Sequence, residues 1–174
     1  MNSFDPLIGC NARVLVLGTM PGQASLEKVE YYAHPQNAFW PIALAHILKE
    51  PVNRDLFHKR SYQTRTTLLA NSHIALWDVL AQCDREGSLD SKIVRQSELP
   101  NPINDLLTGK PHIKAILFNG KTAEKLFKRH INIDSSIAMH SLPSTSPAMA
   151  SLTLEEKYAQ WRKALDQYLS LIHI

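Results

Sequence analysis

Four short apolar runs, each followed by polar or turn-forming residues, alternate along the chain with segments of helical periodicity. Arg13–Gly18 reads RVLVLG, and Ile74–Val79, Lys114–Asn119 (KAILFN) and Ile137–Leu142 share its character. A nearly continuous apolar run of this length describes a parallel strand buried on both faces. Between the runs, Phe39–Leu48 carries apolar residues at helical spacing, and Lys121–His130 follows the turn Asn119-Gly120. Thr153-x-x-Glu156 is a capping box that opens a helix through Tyr158, Trp161, Leu165 and Tyr168. Asn101-Pro102 reads as an N-cap followed by proline at the first helical position, with Gly109 ending that short helix. The alternation predicts an α/β fold, a three-layer α/β/α sandwich on a central, mainly parallel four-stranded sheet. Such sheets bind ligands beyond the carboxyl ends of their strands, so the chemistry is expected just after each one.

At 174 residues the chain suits one domain with a real core. Its final segment, LSLIHI, back-translates onto an adapter common in sequencing libraries. Residues 1–168 are therefore expected to form the domain, and 169–174 to be a non-native tail. A net charge of +3 permits a polyanionic partner without demanding one. Cys10 and Cys83 stand far apart with no Cys-x-x-Cys spacing, which excludes a disulfide framework, a structural zinc site and an iron–sulfur cluster. No metal or other cofactor is expected. Met1–Pro6 lacks the basic start and apolar run of a signal peptide, and no apolar run spans a bilayer. A cytoplasmic location with no membrane partner is the expectation.

Three segments follow strands or precede helices in ways that bear on chemistry. The first is Gly18-Thr19-Met20-Pro21-Gly22, directly after the first strand. Its glycines allow backbone conformations that side chains forbid, and Pro21 stiffens the turn. The second is YYAHPQNAFW at 31–40. Taken alone, Asn37 there reads first as a helix N-cap, and Phe39 and Trp40 fit a core as well as a pocket. The third is LPSTSPA at 142–148, where Pro143 and Pro147 hold an extended loop around Ser144, Thr145 and Ser146. Hydroxyl-rich loops suit phosphate contacts and are also ordinary surface loops.

As an ordered set, these segments resemble the uracil-DNA glycosylase superfamily, and its hypoxanthine-DNA glycosylase branch most of all. GTMPG, Ser25-Leu26, Tyr31-Tyr32-Ala33-His34-Pro35, Asn37 and Phe39-Trp40 match that branch in order. Leu76-Trp77-Asp78, Gly87-Ser88-Leu89-Asp90-Ser91, Phe118-Asn119-Gly120-Lys121 and LPSTSPA continue the match, so the resemblance spans roughly residues 12 to 165.

The resemblance implies hydrolysis of the bond between base and deoxyribose, in a nucleotide first extruded from double-stranded DNA. Hypoxanthine is the expected base, with uracil as a further one, in base excision repair by a monomer. Other branches orient the attacking water with a carboxylate or Asn inside the first turn, where this chain has Met20. The resemblance therefore assigns catalysis to Asn37. An amide has donors and an acceptor but no ionisable group, so it orients water or holds the flipped base. Gly18, Thr19, Met20, Pro21, Gly22, Tyr32, His34, Phe39, Trp40 and Asn119 are the implied base pocket. Pro143, Ser144, Thr145, Ser146, Pro147, Ala148 and Lys121 are the implied DNA contacts, with Ala148-Met149 as a wedge. The uracil-specific branch places a His where this chain has Leu142, and His140 is expected to be structural. No lysine stands as a Schiff-base nucleophile, so no lyase step is expected. A non-enzymatic nucleic-acid or nucleotide binding module is the alternative on the same scaffold, and an enzyme cleaving free nucleosides is a third reading.

Overall fold

The computed structural model describes residues 1–133 and 136–170, so the expected tail is described only at Leu169 and Ser170. Four strands form the central sheet: β1 (Val14–Gly18), β2 (Ile74–Asp78), β5 (Ala115–Asn119) and β6 (Ala138–Leu142). They lie in the order β2-β1-β5-β6 and every pair is parallel. A small antiparallel pair, β3 (Leu80–Gln82) with β4 (Leu99–Pro100), stands apart. The helices are α1 (Gln23–Lys28), α2 (Phe39–Leu48), α3 (Asp55–His58), α4 (Tyr62–Asn71), α5 (Ile103–Gly109), α6 (Lys121–His130) and α7 (Leu154–Leu169).

Side chains on a strand alternate between faces, so each buried strand feeds two cores. Val14, Val16, Ile74, Leu76, Ala115 and Leu117 point to one face, where they pack with α2 and α7. Leu15, Leu17, Ala75, Trp77, Ile116 and Phe118 point to the other, against α6 and Ile103 of α5. Those two cores make the predicted three layers. The free edge of β2 is bridged by the N-terminal segment, where Leu7 and Leu76 exchange backbone hydrogen bonds of 2.9 Å each way. Leu169 ends α7 inside the first core.

The capping box opens α7 as read, with Thr153 Oγ1 accepting from the Glu156 N–H at 3.1 Å. Asn101 does not cap α5. Its side chain donates instead to the Asp78 carbonyl at 2.8 Å, and Pro102 precedes the helix with no side-chain cap. The end of β2 sits close enough to claim that amide first. Gly109 ends α5 as its last residue.

Trp161 of α7 is fully buried, and its indole N–H donates to the Pro143 carbonyl at 2.9 Å. That bond ties the last helix to the loop after β6. Trp161→Phe keeps an aromatic ring but strips the carbonyl of its donor, and it is expected to cost about 1–3 kcal/mol in urea denaturation. An unchanged midpoint would show that the bond contributes nothing.

Candidate active site

A cavity of about 810 Å³ opens at the carboxyl ends of the sheet. That volume suits a small organic ligand. Its walls come from the turn after β1, the end of β2, the end of β5 and the loop after β6, joined by residues of α1 and of the 31–37 segment. The topology therefore gathers the three sequence segments around one opening.

The first wall is Gly18–Gly22. A Cβ on Gly18 would lie 2.5 Å from Asp78 Oδ1 and 3.0 Å from the Tyr32 hydroxyl, so only glycine fits. Arg85 braces the turn, its Nη2 donating to the Pro21 carbonyl at 2.6 Å while Nε donates to the Gly87 carbonyl at 2.7 Å. Ser88 Oγ accepts from the Gln23 N–H, which holds loop 87–91 against the same turn. Met20 lines the cavity from a buried position.

The second wall is the 31–37 segment. Tyr32 adopts a left-handed φ of 54°, which is uncommon outside glycine, and its ring packs on Phe39 with centroids 4.4 Å apart. His34 lies exposed at the opening, with Nδ1 accepting from the Gln36 N–H. Asn37 lines the cavity with little exposure, and its Oδ1 accepts from the Phe39 N–H at 2.9 Å. That bond fixes which end of the amide faces inward. Rotating it would leave the helix's first N–H without its acceptor, so Nδ2 is the end that remains free to donate. Asn37 thus lines the cavity and also receives the first N–H of α2, although the N-cap position itself falls to Ala38.

Phe39 and Trp40 are a correction. Expected in the base pocket, they do not line the cavity and are packed in the first core, where Trp40 Nε1 donates to the Tyr31 carbonyl. The reason is helical phase: α2 starts at Phe39 and turns these rings toward the sheet. Phe39 acts at one remove, as the support beneath Tyr32.

The third wall is the loop after β6. Ser144, Thr145, Ser146, Pro147, Ala148 and Met149 line the cavity, and Pro143 does not. Thr145 is only 1% exposed. Its backbone N–H donates to Asn119 Oδ1 and its Oγ1 accepts from Asn119 Nδ2, both at 2.9 Å. Both ends of the Asn119 amide are therefore occupied, so Asn119 holds the loop, and Thr145 is a buried strut rather than a surface contact. Ser144, Ser146, Pro147 and Ala148 form the accessible part of the loop. Lys157 of α7 lies buried behind it, donating from Nζ to the Ser146 carbonyl, and burial lowers its pKa. Lys121 is exposed one residue after Gly120, whose φ of 95° and close approach to Ser144 leave no room for a side chain. On the rest of α6, Lys128 pairs with Glu124 and Arg129 with Glu98, which leaves Lys121 and Lys125 as its unpaired exposed cations among the described residues. His140 lies outside the cavity and contacts the Tyr168 hydroxyl.

Three carboxyls line the cavity without an expected role, the exposed Glu27 and the two aspartates Asp78 and Asp90. Asp78 ends β2, is 3% exposed, and its Oδ2 has no hydrogen-bond partner. Burial raises its pKa from 3.8 to about 7; Asp90 adds to the rise and Arg85 opposes it. Asp90 lies in the loop after Ser88, partly exposed. Burial raises its carboxyl too, while Thr19 and Arg85 pull it back. The signal in the sequence was an Asp closing an otherwise apolar strand, a costly place for a carboxylate without a partner. No cluster of three or more metal-binding side chains occurs among the described residues.

A parallel α/β sandwich with its cavity at the strand ends, walled by a Gly-x-x-Pro-Gly turn, a capped amide and a proline-braced serine loop, matches one family along nearly its whole length. The profile of the uracil DNA glycosylase superfamily matches residues 6–170, and the chain belongs to that superfamily. Among curated proteins it is similar to a hypoxanthine DNA glycosylase of Methanosarcina barkeri, 39% identical over 118 residues, covering 68% of this chain and 70% of that protein. A second hypoxanthine DNA glycosylase, from Methanosarcina acetivorans, is 34% identical over 120 residues, covering 69% and 71%. A solution structure of a candidate uracil DNA glycosylase from Methanosarcina acetivorans superposes with a TM-score of 0.75 at 28% identity, covering 96% of this chain and 97% of that one.

The Asp78 shift makes stability depend on pH. Between about pH 4 and 7 the folded chain keeps a proton that the unfolded chain has released, so stability falls as pH rises through that window. Above it the penalty is complete, on the order of a few kcal/mol. Asp78→Asn removes the titrating group and should raise the melting temperature more at pH 8 than at pH 5. An equal shift at both values would mean that this carboxyl ionises normally.

Proposed function

We propose that the chain hydrolyses the N-glycosidic bond of deaminated bases in double-stranded DNA, chiefly hypoxanthine, as a monomeric enzyme of base excision repair in the cytoplasm. Superfamily membership and two relatives named as hypoxanthine DNA glycosylases support it. The observation that carries it is the Asn37 amide, held in the cavity wall with its donor end free. A fixed donor suits the keto oxygen that deamination puts in place of an amino group. In this reading the flipped base enters between the Gly18–Gly22 turn and Tyr32, while Ser144 and Ser146 meet the DNA backbone. Pro147 and Ala148 stand at the opening, where an apolar wedge would fill the vacated stack. No described helix is long and apolar enough to cross a membrane.

The test is a duplex carrying one deoxyinosine, incubated with the protein and then treated with alkali. Strand scission at the lesion is expected, and Asn37→Ala should reduce its rate by about 10²-fold or more, the loss typical of removing a preorganised donor. Asn37→Ser controls for folding, because its hydroxyl restores the acceptor for the Phe39 N–H without restoring the amide. Binding without scission would make the chain a binding module, and cleavage of free inosine alone would make it a nucleoside hydrolase.

A further inference from the structure

Hydrolysis needs a group that takes a proton from the attacking water, and Asn37 cannot do so. Met20, in the turn where other branches carry a polar residue, cannot either. Six titratable side chains line the cavity: Glu27, Tyr31, Tyr32, His34, Asp78 and Asp90. Tyr31 donates its hydroxyl proton to the Asp5 carbonyl. Tyr32 is held protonated by its burial. His34 accepts through Nδ1 from Gln36, so its neutral ring carries the proton on Nε2 and offers the cavity a donor. Glu27 lies exposed on α1. The aspartates remain.

They are not equivalent. Asp78 is nearly sealed from solvent, with Oδ1 against Gly18 and Oδ2 without a partner. Asp90 is reachable, with Thr19 and Arg85 beside it to stabilise a charge. Arg85 itself is buried, and its Nη1 has no hydrogen-bond partner. Two neighbouring carboxyls do not both ionise cheaply, so below about pH 7 the sealed one keeps its proton and the reachable one is placed to carry the charge.

Resting on the proposed function, we propose that Asp90 is the general base of this site and that Asp78, protonated behind it, is the residue that positions the Gly18 turn and Tyr32 around it. The water proton passes to an Asp90 carboxylate oxygen while the water oxygen bonds to C1′. The bond from C1′ to the purine nitrogen breaks and its electron pair leaves with the base, toward which Asn37 Nδ2 donates. The resulting hypoxanthine anion takes the proton from Asp90, which restores the carboxylate.

Groups facing Asp90 are Thr19 from the turn after β1, Tyr32, Asp78 from β2 and Arg85 from its own loop. Single-turnover excision from the deoxyinosine duplex, measured across pH, separates the roles. Asp90→Asn should lose about 10²–10⁴-fold in rate, with duplex affinity by fluorescence anisotropy and the melting temperature little changed. The rise of wild-type rate with pH should vanish from its residual activity. Asp78→Asn should stay within about tenfold of wild type and keep that rise, since the base is intact. Asp90→Asn at the wild-type rate, or a larger loss in Asp78→Asn, overturns the assignment while leaving the proposed function standing. A wild-type chain that binds the duplex and excises nothing removes both.

Discussion

Thr145 is the point at which the site is tied together. Its N–H and Oγ1 take both ends of the Asn119 amide, and its carbonyl accepts from the Ala38 N–H at 2.9 Å. One residue thereby links the end of β5, the loop after β6 and the start of α2, three segments far apart in sequence. Asn37 immediately precedes Ala38, so its position depends on this junction. Each such bond contributes only about 1 kcal/mol net, but a buried amide left unpaired costs about 1–3 kcal/mol, so the junction forms whole or not at all. Trp161 and Lys157 add a second tether, holding the carbonyls of Pro143 and Ser146 from α7.

Around that junction the chain tolerates groups that a core would exclude. Asp78 Oδ2 and Arg85 Nη1 are buried without hydrogen-bond partners, and Tyr32 adds a left-handed backbone. Each is unfavourable alone, by roughly 1–3 kcal/mol. The two apolar cores flanking the sheet supply the stability that such groups consume.

The four strands and the helices Phe39–Leu48 and Lys121–His130 were legible because burial on both faces, or on one helical stripe, writes a period into the sequence. Observed strand bounds differ from the expected ones by a residue at most. Elements held together by polar groups left no such trace. In α4 the buried positions are Arg65 and Leu69, and the Arg65 guanidinium sits over the rings of Phe57 and Trp40 at 4.4 and 5.0 Å. A cation in a core position defeats hydrophobic periodicity. The short strands β3 and β4 lack the length to show one. The three segments do line one cavity, but which residue of each segment faces it depends on phase and on hydrogen-bond partners. That is why Phe39, Trp40 and Thr145 turned inward, and why Asp78 and Asp90 were visible only as letters of a motif.

The fixed amide at position 37 bears on how such a site separates damaged from normal bases. On the proposed reading, hypoxanthine presents an oxygen to Nδ2 where adenine presents an amino group. Adenine would therefore set donor against donor at that edge of the cavity. A site that leaves a buried polar group unpaired discriminates far more strongly than one that misplaces a methyl group. Because Oδ1 is already bonded to the Phe39 N–H, the amide cannot flip to accommodate adenine without uncapping α2. On that reading the selectivity is anchored in the helix, because the backbone N–H that starts α2 sets which end of the amide faces the cavity.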